Sequence, residues 1–352
     1  METIATLQIL RAIAASVVAY NHAQIFAGTV NTSPAAQSNF FHLNQWGAVG
    51  VDVFFVLSGV IITLSAGKIF SKRDAHFFMI KRFLRIAPYY WLISSILMIW
   101  TLSRSEQAQY VTIGAIEATY LFYPVEAFPL IGVGWTLCFE MLFYVGMYLV
   151  QLYRFCWITV RLAGVVGFWL LCLLYLTEQS ARTFFLNPII LEFLLGVAIG
   201  FAYLSSIEIK KPLALATLFI GTFALIMTIF TGYGRIAIAD FTMSAENSAQ
   251  RVLLWGIPSA LIVASALFLD KHVKRSGLVK VIVFVGDASY SIYLLHQLFF
   301  RGLLKAPIIA KIPPDALIIL VTFGAIIIGC LSYVCIERPI TWFNRRIVRA
   351  IS

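Results

Sequence analysis

The stretch LRAIAASVVAYNHA, residues 10–23, holds an arginine and a histidine in a run that is otherwise small, apolar or uncharged. From Arg11 to His22 is eleven residues. Eleven helical steps return to nearly the same face, about 16.5 Å further along the axis. Guanidinium grips phosphate through paired hydrogen bonds. Imidazole, with a reference pKa of about 6.5, suits proton transfer near neutral pH. A single stripe therefore joins an anion-binding group to a candidate general base.

Other apolar runs carry ionisable groups as well. GVDVFFVLSG (50–59) contains Asp52, GWTLCFEMLFY (134–144) contains Glu140, and GDASYSIYLLHQLFF (286–300) contains His296. KRFLRIAPYYW (81–91) contains Arg82 and Arg85, three apart and on one helical face. If these runs are membrane helices and the first leaves the cytoplasm, alternation puts His22, Asp52, Glu140 and His296 at one outer level. Arg11, Arg82 and Arg85 then share an inner level, about three helical turns away. The outer group suits acid–base chemistry, with His22 as base and Glu140 or Asp52 orienting the imidazole and stabilising its charged form. The inner group suits phosphate. Plainer readings stand beside these: Arg82 and Arg85 as membrane-boundary anchors, His22 as a helix-packing residue, and Tyr89, Tyr90, Trp91 and Trp135 as an interfacial belt. Unpaired carboxylates at that depth are costly, and the joint pattern of two layers favours chemistry.

Membrane helices are what the composition demands. The chain has 352 residues, 61% hydrophobic and 12% charged, with mean hydropathy +0.90. A soluble domain of that length needs far more charge. Apolar runs long enough to span a bilayer fall near 6–27, 46–67, 77–100, 134–153, 157–176, 185–204, 212–231, 252–269, 279–300 and 316–336. The expected fold is all-α and polytopic, with about ten transmembrane helices. Residues 107–123 are too polar and short for a span and read as an interfacial or re-entrant helix.

A net charge of +10 raises nucleic acid as a partner, but its distribution points to membrane topology. Of the 26 Lys and Arg, 18 fall on one side of this arrangement and 7 on the other, with Arg11 inside a span. Arg251 is counted with the 7. Basic loops are cytoplasmic, so both termini are assigned inside. The five cysteines lie in or beside apolar runs, with neither metal-ligand spacing nor a disulfide framework. The first run has no cleavage site and is read as retained. No internal repeat is visible. Residues 1–352 read as one integral-membrane domain, with 338–352 a basic amphipathic cytoplasmic tail.

These residues resemble the acyltransferase-3 family, in particular its shorter members that acetylate bacterial exopolysaccharide or lipopolysaccharide sugars. The matching pieces are Arg11 and His22 with ten residues between, GVDVFFVLSG, RFLR at 82–85, GWTLCFE at 134–140, SYSIYLLH at 289–296 and ERP at 337–339. They follow the family's order and span nearly the whole chain. The resemblance implies an O-acetyltransferase of the bacterial inner membrane, using cytoplasmic acetyl-CoA as donor and a polysaccharide or lipid-linked sugar as acceptor. It assigns acyl transfer and donor binding to Arg11, His22, Arg82 and Arg85. Trp135, Tyr290, Tyr293 and His296 are expected to line the donor's passage. Some relatives carry a fused SGNH-type hydrolase domain; this chain stops before one, so direct transfer is expected. No metal or nucleic acid is called for, membrane lipids are the surrounding partner, and a homo-oligomer is neither specified nor forbidden. The rival expectation is a secondary transporter or flippase using the same charges as a relay, for which internal repeats and broken helices are the usual marks. A silent scaffold would leave the buried acids and histidines without a purpose.

Overall fold

The computed structural model describes residues 4–30, 46–66, 71–104, 108–123, 127–152, 164, 167, 183–234, 247–304 and 306–351. Among the described residues all regular structure is helical. The principal helices are α1 (Ala5–Val30), α2 (Val49–Ala66), α3 (Lys72–Leu102), α4 (Ile113–Tyr120), α5 (Trp135–Leu152) and α6 (Ile190–Leu204). They continue with α7 (Lys211–Phe230), α8 (Ile257–Leu269), α9 (Gly277–Asp287), α10 (Ser289–Leu303), α11 (Pro314–Ser332) and α12 (Arg338–Ile351). π-helical turns at Val252–Gly256 and Tyr333–Glu337 lead into α8 and α12.

Among the described residues, seven helical segments are long and apolar enough to cross a bilayer, or eight if the bent pair α9–α10 counts as one. The protein is an all-α, polytopic membrane protein. The expected span at 157–176 lies outside the described residues except for positions 164 and 167. Residues 113–120 form only the eight-residue α4, too short to span. The expected first span, α1, has 26 residues yet is not among the seven. Gln8, Arg11, Asn21, His22 and Gln24 dilute its hydropathy. Such a sequence suits a helix packed against protein rather than lipid, and α1 packs on α8, α9, α10 and α11.

The chain divides into two compact units. One comprises Met1–Leu57, Glu208–Ala239 and Gln250–Cys335, and holds α1, the first half of α2 and α7 to α11. Its packing rests on small residues. Ala12, Ala15, Ala19, Ala23 and Ala27 recur every three or four positions on the buried side of α1, which lets neighbouring backbones approach closely. Ala19, Ala23, Phe26 and Ala27 meet Phe300, Leu317, Ile318, Val321 and Ala325, and Ala15 meets Ala288 and Ile292. At Gly286 any Cβ would run into the Gln8 carbonyl, so glycine is required for this contact between α9 and α1. The first turn of α1 has no acidic residue of its own. Asp270 supplies one, accepting from the Thr6 amide at 2.9 Å and hydroxyl at 3.1 Å, where a carboxylate favours the positive helix end.

The other unit comprises Ser58–Ile207, Asp240–Ala249 and Ile336–Ser352, with the rest of α2, α3 to α6 and α12. Ser71 caps α3, accepting from the Asp74 amide at 3.1 Å while its hydroxyl donates to Asp74 Oδ2 at 2.7 Å. This cap starts the helix at Lys72, not at 77 as the apolar pattern suggests. Arg82 consequently sits ten residues inside it, about 15 Å from its start. Pro88 lies within α3 and cannot donate to the Leu84 carbonyl four residues back. Asn344 of α12 does so instead, Nδ2 to Leu84 O at 2.7 Å. The vacancy left by one proline is thus the docking point of the C-terminal helix. It exposes Arg345, Arg346 and Arg349 beside Trp342, Phe343 and Ile347.

Candidate active site

Within the first unit, polar contacts join α1 and α10. Arg11 Nε donates to Ser289 Oγ at 3.2 Å, and further along both helices His22 faces His296, with ring centroids 4.8 Å apart. The helices α9 and α10 meet at a 63° bend, and Ser289 is the first residue beyond it. The bend therefore turns the start of α10 toward Arg11.

The hydrogen bonds of the histidines determine their tautomers. His22 Nδ1 lies 3.0 Å from the Val18 carbonyl and 3.1 Å from His296 Nε2. His296 Nδ1 lies 3.2 Å from the Ile292 carbonyl. Carbonyl oxygens only accept, so both Nδ1 atoms carry the hydrogen in the neutral rings. His22 Nδ1–H is then shared between Val18 O and the lone pair of His296 Nε2. Among the described residues His22 Nε2 meets no hydrogen-bond partner and keeps its lone pair. His296 is fully buried, at 0% exposure. Tyr293 and Phe300 flank it, with centroids 6.1 and 5.8 Å away, and Phe54 stands edge-on to Tyr293. Tyr290 is half-buried on the same helix.

Asp52 belongs to this unit but has a different partner from the one its spacing suggests. Arg251 Nε donates to Oδ1 at 2.9 Å and Nη2 to Oδ2 at 2.8 Å, a bidentate pair with side-chain exposures of 1% and 0%. Arg251 also donates to the Ala48 carbonyl at 3.3 Å and lies over Trp255, 5.0 Å from the ring centroid. Arg251, which the sequence counts with the 7 cations of one side, is thus a buried ion-pair partner. The expected orienting contact from Asp52 to His22 is likewise replaced, because His22 Nδ1 is occupied by Val18 and His296. Charge counting missed Arg251. The one sequence signal was Trp255 four residues on, the spacing at which a helical cation can meet a ring.

Glu140 and Arg82 belong to the second unit and share a network. Glu140 Oε1 accepts from Ser58 Oγ at 3.1 Å and from the Tyr144 hydroxyl. Arg82 donates to Ser65 Oγ at 2.5 Å, its guanidinium lies 5.8 Å from the Tyr144 ring centroid, and it is within electrostatic reach of Glu140. This corrects the expected separation of about three turns between Glu140 and the arginines. The earlier start of α3 carries Arg82 deeper into the helix than its apolar boundary implied. Two spacings could have revealed the network: Ser58 and Ser65 are seven apart on α2, and Glu140 and Tyr144 are four apart on α5. Arg85 is exposed one turn beyond Arg82. Trp135, at the start of α5, is half-buried against Phe139, edge-on at 5.9 Å.

A family profile described as an acyltransferase domain matches residues 4–335. The chain belongs to the acyltransferase-3 family. It is an acyltransferase, and its matched region contains both clusters. It is 28% identical over 313 residues to the exopolysaccharide production protein ExoZ of Rhizobium meliloti, covering 84% of this chain and 89% of that one. It is 24% identical over 292 residues to acyltransferase MdmB of Streptomyces mycarofaciens, covering 74% and 70%. It is 26% identical over 334 residues to O-acetyltransferase OatA of Staphylococcus aureus, covering 85% of this chain but 54% of that longer relative. No solved structure matches the chain.

Proposed function

We propose that this acyltransferase moves an acetyl group from cytoplasmic acetyl-CoA to a hydroxyl of a cell-surface polysaccharide or lipid-linked sugar, on the outer side of a bacterial inner membrane. The observation that carries this reading is the state of His22: Nδ1–H is engaged, Nε2 keeps its lone pair, and Arg11 lies on the same helix. The names of ExoZ and OatA support the acceptor and acetyl classes.

In this mechanism His22 Nε2 takes the proton of the sugar hydroxyl as its oxygen attacks the thioester carbonyl. The carbon–sulfur bond then breaks, and the imidazolium returns the proton to the departing thiolate. Arg82 and Arg85 hold the phosphates of the donor through their paired donors. Glu140, through Tyr144, keeps Arg82 extended beside Ser65. Asp52 holds Arg251 and thereby the start of α2. Tyr290 and Tyr293 line the route of the acyl arm beside His296. Both termini face the cytoplasm.

The bend between α9 and α10 is the feature that a transporter would share. It is single among the described residues, whereas inverted repeats would carry a matched pair. The deciding experiment measures radiolabelled acetyl transfer from acetyl-CoA to polysaccharide in membranes of producing cells. His22→Gln should abolish label in the base-labile ester fraction while acetyl-CoA binding persists. Label at the wild-type level would remove His22 from the reaction.

A further inference from the structure

We infer that His296 is a positioning residue for the reaction, sharing the proton charge that His22 gains when it acts as base; this rests on the reading of His22 given above. The argument starts from a shortage of acceptors. A base that becomes an imidazolium needs a partner for its second N–H. In hydrolytic triads that partner is a carboxylate. Here the partner at Nδ1, beyond the helix's own Val18 carbonyl, is a second neutral imidazole at 3.1 Å. A carbonyl accepts a hydrogen bond but not a proton, whereas His296 Nε2 does either.

Local structure leaves His296 in one orientation. Its Nδ1 is tied to Ile292 O, its own helix's carbonyl four residues back, so Nε2 is the nitrogen that faces His22. Tyr293 and Phe300 pack against the ring, and the side chain is completely buried. The ring therefore has one hydrogen-bonding direction left, and it points to the base. Phe26 stacks on Phe300 at 5.5 Å, which fixes this part of α10 to α1 just beyond the two histidines.

The proton balance is closed. As the acceptor oxygen attacks, its proton moves to His22 Nε2. The positive charge is distributed over His22 Nδ1–H and His296 Nε2. When the thiolate leaves, His22 Nε2–H protonates it, and both rings return to neutral Nδ1–H forms. His296 touches neither substrate; it acts through His22. The sequence assigned it to the donor passage, and the structure gives it this other neighbour.

The test uses full-length enzyme in membranes, with labelled acetyl-CoA and the host's de-O-acetylated surface polysaccharide as acceptor. His296→Leu should lower kcat about 10- to 100-fold and leave KM for acetyl-CoA within about twofold, because general acid–base assistance is what is lost. His296→Gln places an amide oxygen near the former Nε2, which accepts the hydrogen bond but not the proton, and should leave kcat between those of the Leu variant and wild type. A wild-type kcat in His296→Leu overturns the proposal. So does a KM rise that accounts for the whole loss, or a Gln variant as active as wild type. If His22→Gln keeps activity in the same assay, the underlying reading of His22 fails instead. Acetyl-CoA binding to each purified variant shows that it is folded.

Discussion

The two polar clusters of the first unit differ in how completely their valences are used. Asp52 and Arg251 meet in a bidentate pair, buried to 0% and 1% exposure, and Arg251 also holds Ala48 O and the face of Trp255. The histidine pair lies in the same unit, yet it leaves one ring nitrogen of His22 without a partner among the described residues. Both clusters place costly groups in an apolar bundle. The Arg251 charge is neutralised in place by a bidentate carboxylate, and its Nε and Nη2 donors are spent on protein. A base with one direction open keeps a lone pair with which to take a proton, the role proposed for His22.

The largest expected effect breaks the open cluster. His22→Gln should cost transfer about 10²- to 10⁴-fold, the usual contribution of a general base, with little change in thermal stability. A stability loss equal to the activity loss would make His22 structural as well, and the contrast would disappear.

Next comes the closed cluster. Asp52→Asn leaves the Arg251 charge buried without its counter-ion, and breaking such a pair costs about 3–5 kcal/mol. Thermal unfolding in detergent should show the drop, and Asp52→Asn combined with Arg251→Met should recover part of it. If Asp52→Asn abolished transfer with stability unchanged, Asp52 would belong with His22.

The second unit supplies a smaller test. Glu140→Gln should weaken acetyl-CoA binding several-fold, since Glu140 reaches Arg82 through Tyr144. Arg82→Lys should weaken it about tenfold, near 1.4 kcal/mol, where bidentate geometry matters. Calorimetric titration separates the two. Unchanged binding in both would make Arg82 a structural cation like Arg251.

The smallest effect concerns the proline vacancy. Asn344→Ala removes the donor to Leu84 O and should lower stability by about 1 kcal/mol. Pro88→Ala restores a helical donor and should make Asn344→Ala nearly silent. Additive losses would show that Asn344 serves α12 in some other way.

The residues of the sites were legible before their partners were. Arg11, His22, Asp52, Glu140 and Arg82 announce themselves because ionisable side chains in apolar helices are expensive and rarely accidental. The all-α membrane architecture follows from hydropathy and length alone, through the requirement that backbone groups in lipid be satisfied within the helix. The amphipathic C-terminal helix follows from its alternating Arg and aromatic residues. None of this needs tertiary information, since it depends on each segment's composition and period.

Partnership was decided in three dimensions. Arg251 counts with the cations of one side until the fold places it on Asp52, 199 residues away. Glu140 reads as lying about three turns from Arg82 until the Ser71 cap lengthens α3 and sets Arg82 deeper along it. Hydropathy marks 279–300 as one span, whereas the fold bends it by 63° between Asp287 and Ser289. The two units interleave distant segments, so no linker or change of composition marks their boundary. The sequence by itself determined which helices form and which side chains must find a partner, because local hydropathy and desolvation cost act residue by residue. Only the tertiary structure decided which partner each one found, because a hydrogen bond depends on distances of about 3 Å between helices, which periodicity does not encode.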